Sequence, residues 1–207
     1  MHYETLDEKR RALLPALDAF KQEFYLAGGT ALALQIGHRV SVDFDFFTEQ
    51  DFETEEVYER VQKAFGQVSR TQESPRTLAI LVQDDVRISF MGYHYPLLHA
   101  CVDTEHLRLA SMLDIGCMKL GAIVSRAELK DYVDLFFILK HLPLPDLLAA
   151  LSKKLPSLDQ NLVLKALVSF DDISTEPIDF IAGNEISLDE IRTSIVTSVK
   201  TVPLGLR

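Results

Sequence analysis

Hydrophobic and polar residues follow two different patterns along the chain, and the change between them divides it into halves. In the first half, short apolar or alternating runs predict strands, and helical spacing recurs between them. The predicted strands lie at 24–27, 40–47, 77–83 and 86–92, the last two as a hairpin, and the predicted helices at 6–21, 30–37 and 53–65. Pro15 predicts a kink or a late start in the first helix. This half is therefore expected to form a mixed α/β core.

After about residue 105 the strand pattern fades and helical periodicity dominates. The helices are predicted at 111–124, 127–140, 146–154, 158–169 and 188–200. Capping-box spacing marks three helix starts, at Thr5/Glu8, Ser157/Gln160 and Ser187/Glu190, and Ser111 and Asp114 are predicted to cap the helix at 111–124. The predicted fold class is α+β: a mixed β-sheet core flanked by helices in 1–105, then a helical region in 106–207.

The strand predicted at 40–47 carries two carboxylates on one side. Alternation places the apolar residues on one face and the more polar set on the other: Val40, Val42, Phe44 and Phe46 against Ser41, Asp43, Asp45 and Phe47. Residues two apart on a strand point the same way, about 6–7 Å apart at Cα. The carboxylates of Asp43 and Asp45 would then converge on one Mg²⁺ or bridge two ions about 3.5–4 Å apart.

A pair of aspartates on a strand is also typical of a sheet face that simply meets water. Three neighbouring features favour a site instead. Phe47 shares the acidic face; Gly28 and Gly29 precede Thr30, a predicted helix N-cap; and Arg39 and Ser41 supply hydrogen-bond donors just before the carboxylates. Glycines before a helix permit close approach of phosphate, and the first N–H groups of the helix attract anions.

Two blocks of sequence resemble a known family. The run LAGGTALALQIGHRVSVDFDFF resembles the G-G-[S/T]…R-x-S-x-D-x-D motif of the AbiEii/AbiGii toxin family, within the DNA polymerase β-type nucleotidyltransferase superfamily. The run MKLGAIVSRAELKDYVDLFFIL resembles the family's K-x-x-A…R…[R/K]-D-x-x-D-L helical motif. The resemblance covers about residues 20–140 and implies a nucleotidyltransferase-type fold in which 106–140 completes the site.

The resemblance also assigns roles to individual residues. The nucleotide would be bound by Gly28, Gly29, Thr30, Arg39, Ser41 and Arg126, and the metal, Mg²⁺ or Mn²⁺, by Asp43 and Asp45. Lys119 would contact phosphate or stabilise charge during transfer, and Asp131 would orient Lys119 or Arg126. Lys130 stands where many relatives have Arg, which keeps the charge but loses bidentate phosphate binding. Without the resemblance, Lys119 in its apolar helix is expected either to reach solvent or to point into a cleft.

One departure from the family pattern concerns a third carboxylate. Active members of the superfamily carry it on a neighbouring strand, and the equivalent segment here, Val86–Phe90, has Ser89 at that position. Serine is a weak metal ligand, so a complete two-metal site is in question. Asp84 or Asp85 in the adjoining turn would be the substitutes, although a solvated hairpin turn is the simpler role for both.

Charge and composition limit the partners. The net charge of −10, from 31 acidic and 21 basic residues, disfavours a coat on duplex DNA, because that mode depends on neutralising phosphates. The chain lacks an apolar run long enough to span a membrane, its N-terminal sequence does not resemble a signal peptide, and its two cysteines have no metal-type spacing. We therefore expect a cytoplasmic protein.

The sequence leaves three functions open. The first is a metal-dependent nucleotidyltransferase toxin that transfers a nucleotide from an NTP to RNA (such as tRNA) or protein, restrained by a cognate antitoxin. The second is a binding module of the same fold that has lost transfer chemistry. The third is a sugar-nucleotide glycosyltransferase, ranked last because its metal site requires neither the upstream glycines nor Lys119 and Asp131.

Overall fold

The computed structural model describes residues 1–83, 85–171, 173–174 and 176–203. They form two compact units. One holds Met1–Pro96 and Ala100–Ser111, and the other holds Leu97–His99 and the chain from Met112 onward.

The first unit is built on a mixed sheet. Its strands are β1 Tyr25–Leu26, β2 Phe44–Thr48, β3 Val68–Ser74, β4 Thr77–Val82, β5 Val86–Gly92, β6 Val102–Asp103 and β7 Arg108–Leu109, in the spatial order β3-β4-β5-β2-β1-β7-β6. The pairs β2–β5 and β1–β7 are parallel, and the remaining neighbours are antiparallel. The helices of this unit are α1 Glu8–Leu17, α2 Gly28–Ile36 and α3 Thr54–Phe65.

The core of the first unit lies against one face of the central strands. Phe44 and Phe46 on β2 and Ile88 and Phe90 on β5 are fully buried, and the rings of Phe46 and Phe90 stack with centroids 5.4 Å apart. The intervening residues of β2, Asp45 and Phe47, are only partly buried. The period-two pattern of β2 thus separates a packed face from a partly exposed one.

The second unit is helical, as predicted. It contains α4 Met112–Arg126, α5 Leu129–Leu139, α6 Leu144–Lys154, α7 Gln160–Val168 and α8 Leu188–Lys200. The capping box of Ser187 and Glu190 opens α8 as expected. Among the described residues no single helix meets the length and apolarity needed for a membrane span; α5 and α6 meet them only jointly, with a bend of 116° between them.

Several predicted boundaries are wrong for local reasons. Asp7, not Thr5, caps α1, because its side chain accepts the Arg10 N–H, and Asp159, not Ser157, caps α7. The strand predicted at 40–47 begins only at Phe44. The Val42 carbonyl accepts Arg10 Nε at 2.5 Å and the Asp43 carbonyl accepts the Thr30 hydroxyl, so side chains engage both groups.

The edge strand β3 was not predicted at all. Its residues from Ser69 to Ser74 are exposed and polar, so they lack the apolar alternation that marks a strand. It forms because it pairs along its whole length with β4. Charged side chains on such an edge discourage pairing with other chains.

Candidate functional site

The acidic pair lies at the start of β2. Asp45 is inside the strand and Asp43 immediately precedes it, while Phe44 between them points into the core with no exposed surface. Both aspartates are partly exposed. The predicted alternation therefore holds from Phe44 onward, where Asp45 lies on the side opposite to the core, but not before it, because Val42 on the predicted apolar face is 46% exposed.

Gly28 lies directly against the acidic pair. A Cβ added to it would be 3.3 Å from Asp45 Oδ2, and its φ of +67° lies in the left-handed region that favours glycine. The backbone is held there because the Ala27 N–H donates to the Asp45 carbonyl at 3.0 Å. Glycine at 28 is thus required by both conformation and space.

Gly29 lies against a cationic side chain. A Cβ at this position would be 2.3 Å from Nη2 of Arg39 and 3.1 Å from Oγ of Ser41. Arg39 is 6% exposed and donates from Nη1 to the Val40 carbonyl at 3.0 Å. The glycine therefore allows a guanidinium to lie beside the N-terminus of α2.

Thr30 joins these groups but does not cap the helix. The predicted N-cap role is wrong, because α2 begins at Gly28 and Ala27 occupies the cap position without a side-chain cap. The Thr30 hydroxyl instead contacts Ser41 Oγ at 2.9 Å and donates to the Asp43 carbonyl. Gly28, Gly29 and Thr30 form the first helical turn, whose N–H groups have no acceptor within the helix.

The donor set beside Asp45 suits a divalent cation shared with a substrate. In the parallel pairing of β2 and β5, Asp45 is opposite Ser89, and the next residue across the sheet is Ala79. Within the described ranges, no three His, Cys, Asp or Glu side chains are grouped to hold a metal. Two carboxylates are nevertheless enough where Mg²⁺ takes its other ligands from water and substrate phosphate. Asp43 and Asp45 would hold it.

Asp85, one of the two proposed substitutes for the third carboxylate, is paired elsewhere. Asp85 is paired with Lys9, whose Nζ is 2.5 Å from its carboxylate, and its side chain is about half exposed. Asp84 lies outside the described residues. The row Asp45–Ser89–Ala79 thus ends without an acid.

An ionic cluster in the second unit brings together the buried Lys119 and Asp131 and the half-exposed Arg126. Lys119 Nζ is 2.7 Å from Asp131 and 2.5 Å from Asp134, and Arg126 donates to both oxygens of Asp131 at 2.8 and 3.0 Å. The expectation that Lys119 reaches solvent or points into a cleft is wrong: its side chain is 6% exposed between two fully buried carboxylates.

The electrostatics of this cluster favour the ionised form of Asp131. Burial by itself raises the pKa of Asp131, but the charge of Lys119 and the Arg126 hydrogen bond outweigh it, and the pKa lies below its ordinary value. Asp134 was not among the predicted site residues. Its signal was the spacing of three from Asp131, which places both on one helix face.

A second buried ion pair escaped prediction. Asp114 and Lys154 are fully buried, with Nζ 2.7 Å from the carboxylate, which also accepts the N–H groups of Leu98 and His99. The predicted capping role for Ser111 and Asp114 stays a prediction. Burial and the Asp114 charge also raise the pKa of Cys117 to about 12, which keeps this thiol protonated.

Comparison with known proteins gives a consistent result. The family model described as nucleotidyl transferase AbiEii toxin, type IV TA system, matches residues 11–193. An uncharacterized protein of Aquifex aeolicus (strain VF5) is 38% identical over 176 residues, covering 82% of this chain and 84% of the relative.

Solved structures with the same fold are more distant in sequence. MenT4, a nucleotidyltransferase toxin from Mycobacterium tuberculosis, is 16% identical with a TM-score of 0.62, covering 94% of this chain and 85% of that one. JHP933 from Helicobacter pylori is 19% identical with a TM-score of 0.60, covering 97% and 94%. The mixed sheet with helical flanks is thus a nucleotidyltransferase-type fold.

Proposed function

Because the chain belongs to the nucleotidyl transferase AbiEii toxin family, we propose that it transfers a nucleotidyl group from an NTP to a hydroxyl acceptor at Asp43 and Asp45. The acceptor would be RNA, such as tRNA, or a protein, and a cognate antitoxin would restrain the activity. A single observation carries the proposal: Gly28 lies 3.3 Å (measured from an added Cβ) from the Asp45 carboxylate, at the start of a helix. The Asp45 carboxylate and the backbone that would bind phosphate, at the start of α2, are therefore neighbours.

The residues around the glycines would bind the triphosphate. The N–H groups of Gly28, Gly29 and Thr30 open α2, where the helix dipole favours anions. The Arg39 guanidinium adds a formal positive charge beside Gly29. The Thr30 hydroxyl contacts Ser41 Oγ and donates a hydrogen bond to the Asp43 carbonyl, which holds the Asp43 backbone in place. These side chains would orient the phosphates before transfer, which lowers the entropic part of the barrier.

The carboxylates would act through Mg²⁺ or Mn²⁺. When bound there, the cation would neutralise charge on the triphosphate and activate the attacking hydroxyl. Asp43 and Asp45 would hold that charge at the start of β2, with the buried Phe44 between them. The role of Lys119, Arg126 and Asp131 in transfer stays a prediction of the family motif.

Label transfer from an α-³²P-NTP in cell extract with Mg²⁺ or Mn²⁺ tests the proposal. The double variant Asp43→Ala/Asp45→Ala should lose label transfer by roughly a hundredfold or more, the scale for removing a charge-stabilising group from an active site. The matched control is Glu56→Ala/Glu59→Ala, which removes two negative charges from exposed positions of α3. Equal labelling by the wild type and the aspartate variant would refute the proposal.

The row Asp45–Ser89–Ala79 across the sheet contains no third carboxylate. This supports a second candidate, a nucleotide- or partner-binding module without transfer chemistry. Ser89 is 5% exposed beside Asp45, and Ala79 follows it across the sheet. This candidate expects NTP binding by calorimetry without pyrophosphate release. Pyrophosphate release that depends on Asp43 and Asp45 would exclude it.

A further inference from the structure

Four aromatic side chains form a continuous row on the first unit. Tyr25 stacks on Phe47 with centroids 6.0 Å apart, Phe47 meets Tyr93 edge-on at 5.6 Å, and Tyr93 meets Tyr95 at 4.9 Å. We call Tyr25, Phe47, Tyr93 and Tyr95 the aromatic row. Phe47 and Tyr93 are half-buried, and Tyr95 is 37% exposed. The row therefore runs from the buried sheet to the surface.

Backbone pairing fixes the inner end of the row beside the acidic pair. Phe47 follows Asp45 by two residues on β2 and shares its face. Tyr25 is the antiparallel partner of Phe47, and the Tyr93 N–H donates to the Thr48 carbonyl at 2.7 Å, which extends the pairing beyond β5. The row is thus anchored on three neighbouring segments of one sheet.

The carboxylates lie between the row and the glycines. Moving along β2 from Phe47 to Asp45, the antiparallel neighbour changes from Tyr25 to Ala27, and Gly28 follows. The aromatic row and the phosphate-binding glycines therefore flank Asp45 from opposite directions along the strand. In an in-line displacement at phosphorus, the attacking and leaving oxygens also lie on opposite sides.

We propose that the aromatic row binds unpaired nucleobases at the end of an RNA acceptor, an inference that rests on the proposed function. If the triphosphate occupies the glycine side, the acceptor hydroxyl approaches from the side of Phe47. Aromatic side chains in series stack successive bases of single-stranded RNA with little sequence preference. A chain with a net charge of −10 gains little from general phosphate attraction, so base stacking would have to supply most of the affinity for RNA.

A guanidinium lies beside the outer part of the row. Arg76 packs over Gly92, the residue before Tyr93: a Cβ at Gly92 would be 2.4 Å from Arg76 Nη2. The guanidinium is also 2.9 Å from the carboxylate of Asp51, and His94 Nε2 is 3.5 Å from the same group. Asp51 is 79% exposed, so this pair is open to competition by RNA phosphate. A cation next to a stacking surface is typical of single-strand binding.

The test measures RNA and NTP binding separately on the full chain. The RNA probe is a fluorescein-labelled single-stranded hexamer of mixed sequence, followed by anisotropy, and the NTP is titrated by calorimetry with Mn²⁺. Tyr93→Leu/Tyr95→Leu keeps apolar volume but removes the π-faces, and should weaken RNA binding roughly tenfold or more. Tyr93→Phe/Tyr95→Phe should bind RNA like the wild type, and NTP affinity should be unchanged in both variants.

The matched control is Tyr58→Leu, which removes a tyrosine of the same unit that packs beneath Arg70 with 3.7 Å between guanidinium carbon and ring centroid. It should leave RNA binding unchanged. Three results would overturn the inference: no RNA binding by the wild type, equal weakening by the leucine and phenylalanine variants, or weaker NTP binding with RNA binding intact. The last would place the base of the incoming nucleotide on the row.

The outcome is separable from that of the proposed function. Asp43→Ala/Asp45→Ala should abolish transfer yet retain row-dependent RNA binding. Row-dependent RNA binding without any transfer by the wild type contradicts only the proposed function. If the wild type transfers label but its RNA affinity does not change when Tyr93 and Tyr95 are replaced, only the present inference is contradicted.

Discussion

The two units hold their carboxylates in opposite ways. In the first unit, Asp43 and Asp45 are partly exposed on a strand, next to backbone N–H groups and a glycine turn. In the second, Asp131 and Asp134 are fully buried and share Lys119. The first pair is partly open to solvent, whereas Asp131 and Asp134 are enclosed around the Lys119 ammonium. We therefore expect the loss of one partner to destabilise the second arrangement more than the first.

Among the substitutions that test this contrast, the largest expected effect is a loss of stability in the second unit. Lys119→Met should destabilise the protein by about 4–5 kcal/mol, because it leaves Asp131 and Asp134 buried without the ammonium between them. Urea unfolding followed by circular dichroism measures the change. Lys130→Met is the control, since Lys130, next to Asp131 on α5, pairs with Glu128 at a part-exposed site and its loss should cost at most about 1 kcal/mol. Equal effects would show that the cluster contributes no more than a surface pair.

The second buried pair should respond less strongly. Lys154→Met should cost about 3 kcal/mol, because Asp114 would keep its two backbone N–H donors from Leu98 and His99. The double variant Asp114→Asn/Lys154→Met removes both charges and should recover part of the loss. This account would be contradicted if the double variant lost more free energy of unfolding than Asp114→Asn and Lys154→Met lose in total.

The buried carboxylate also predicts a pH dependence. Asp131→Asn should cost roughly 2 kcal/mol near neutral pH, the scale for losing charge-assisted hydrogen bonds. Because the folded-state pKa of Asp131 lies below its ordinary value of 3.8, its contribution is complete above that value and is lost as the pH falls through it toward the folded-state pKa.

Urea unfolding of both proteins from pH 7 down to the acid limit of folding measures that difference. The free-energy gap between wild type and Asp131→Asn should stay constant above about pH 5 and narrow below about pH 4. A gap that widened toward acid would mean that the folded-state pKa of Asp131 is raised instead.

Local patterns predicted the parts of the fold whose stability is also local. The α3 helix, the β4–β5 hairpin and the capping box of α8 carry their signals within a few residues. The strand β3 does not, since only its pairing with β4 makes it a strand. The short strand β7 likewise depends on β1, a partner far along the chain.

The candidate site was predictable where spacing alone sets direction. Asp43 and Asp45 are two positions apart, and on an extended segment that spacing predicts one shared direction. The neighbours of Gly29 were not predictable in detail, because Arg39 reaches it through a turn whose geometry no periodicity encodes. The Asp114–Lys154 pair was not predicted either, because its members are 40 positions apart and belong to different helices, and periodicity does not encode such contacts.

The smallest expected change in stability belongs to the residue with the largest expected role in chemistry. Asp43→Asn should alter the free energy of unfolding by no more than about 0.5 kcal/mol, because the side chain is partly exposed and only its backbone carbonyl receives the Thr30 hydroxyl. Label transfer from an NTP should nevertheless fall by roughly a hundredfold or more, since an amide cannot supply the negative charge that the cation requires. Urea unfolding and label transfer on one preparation test both parts. A loss of stability comparable to that of Lys119→Met would place Asp43 with the structural carboxylates, and the contrast between the two units would then fail.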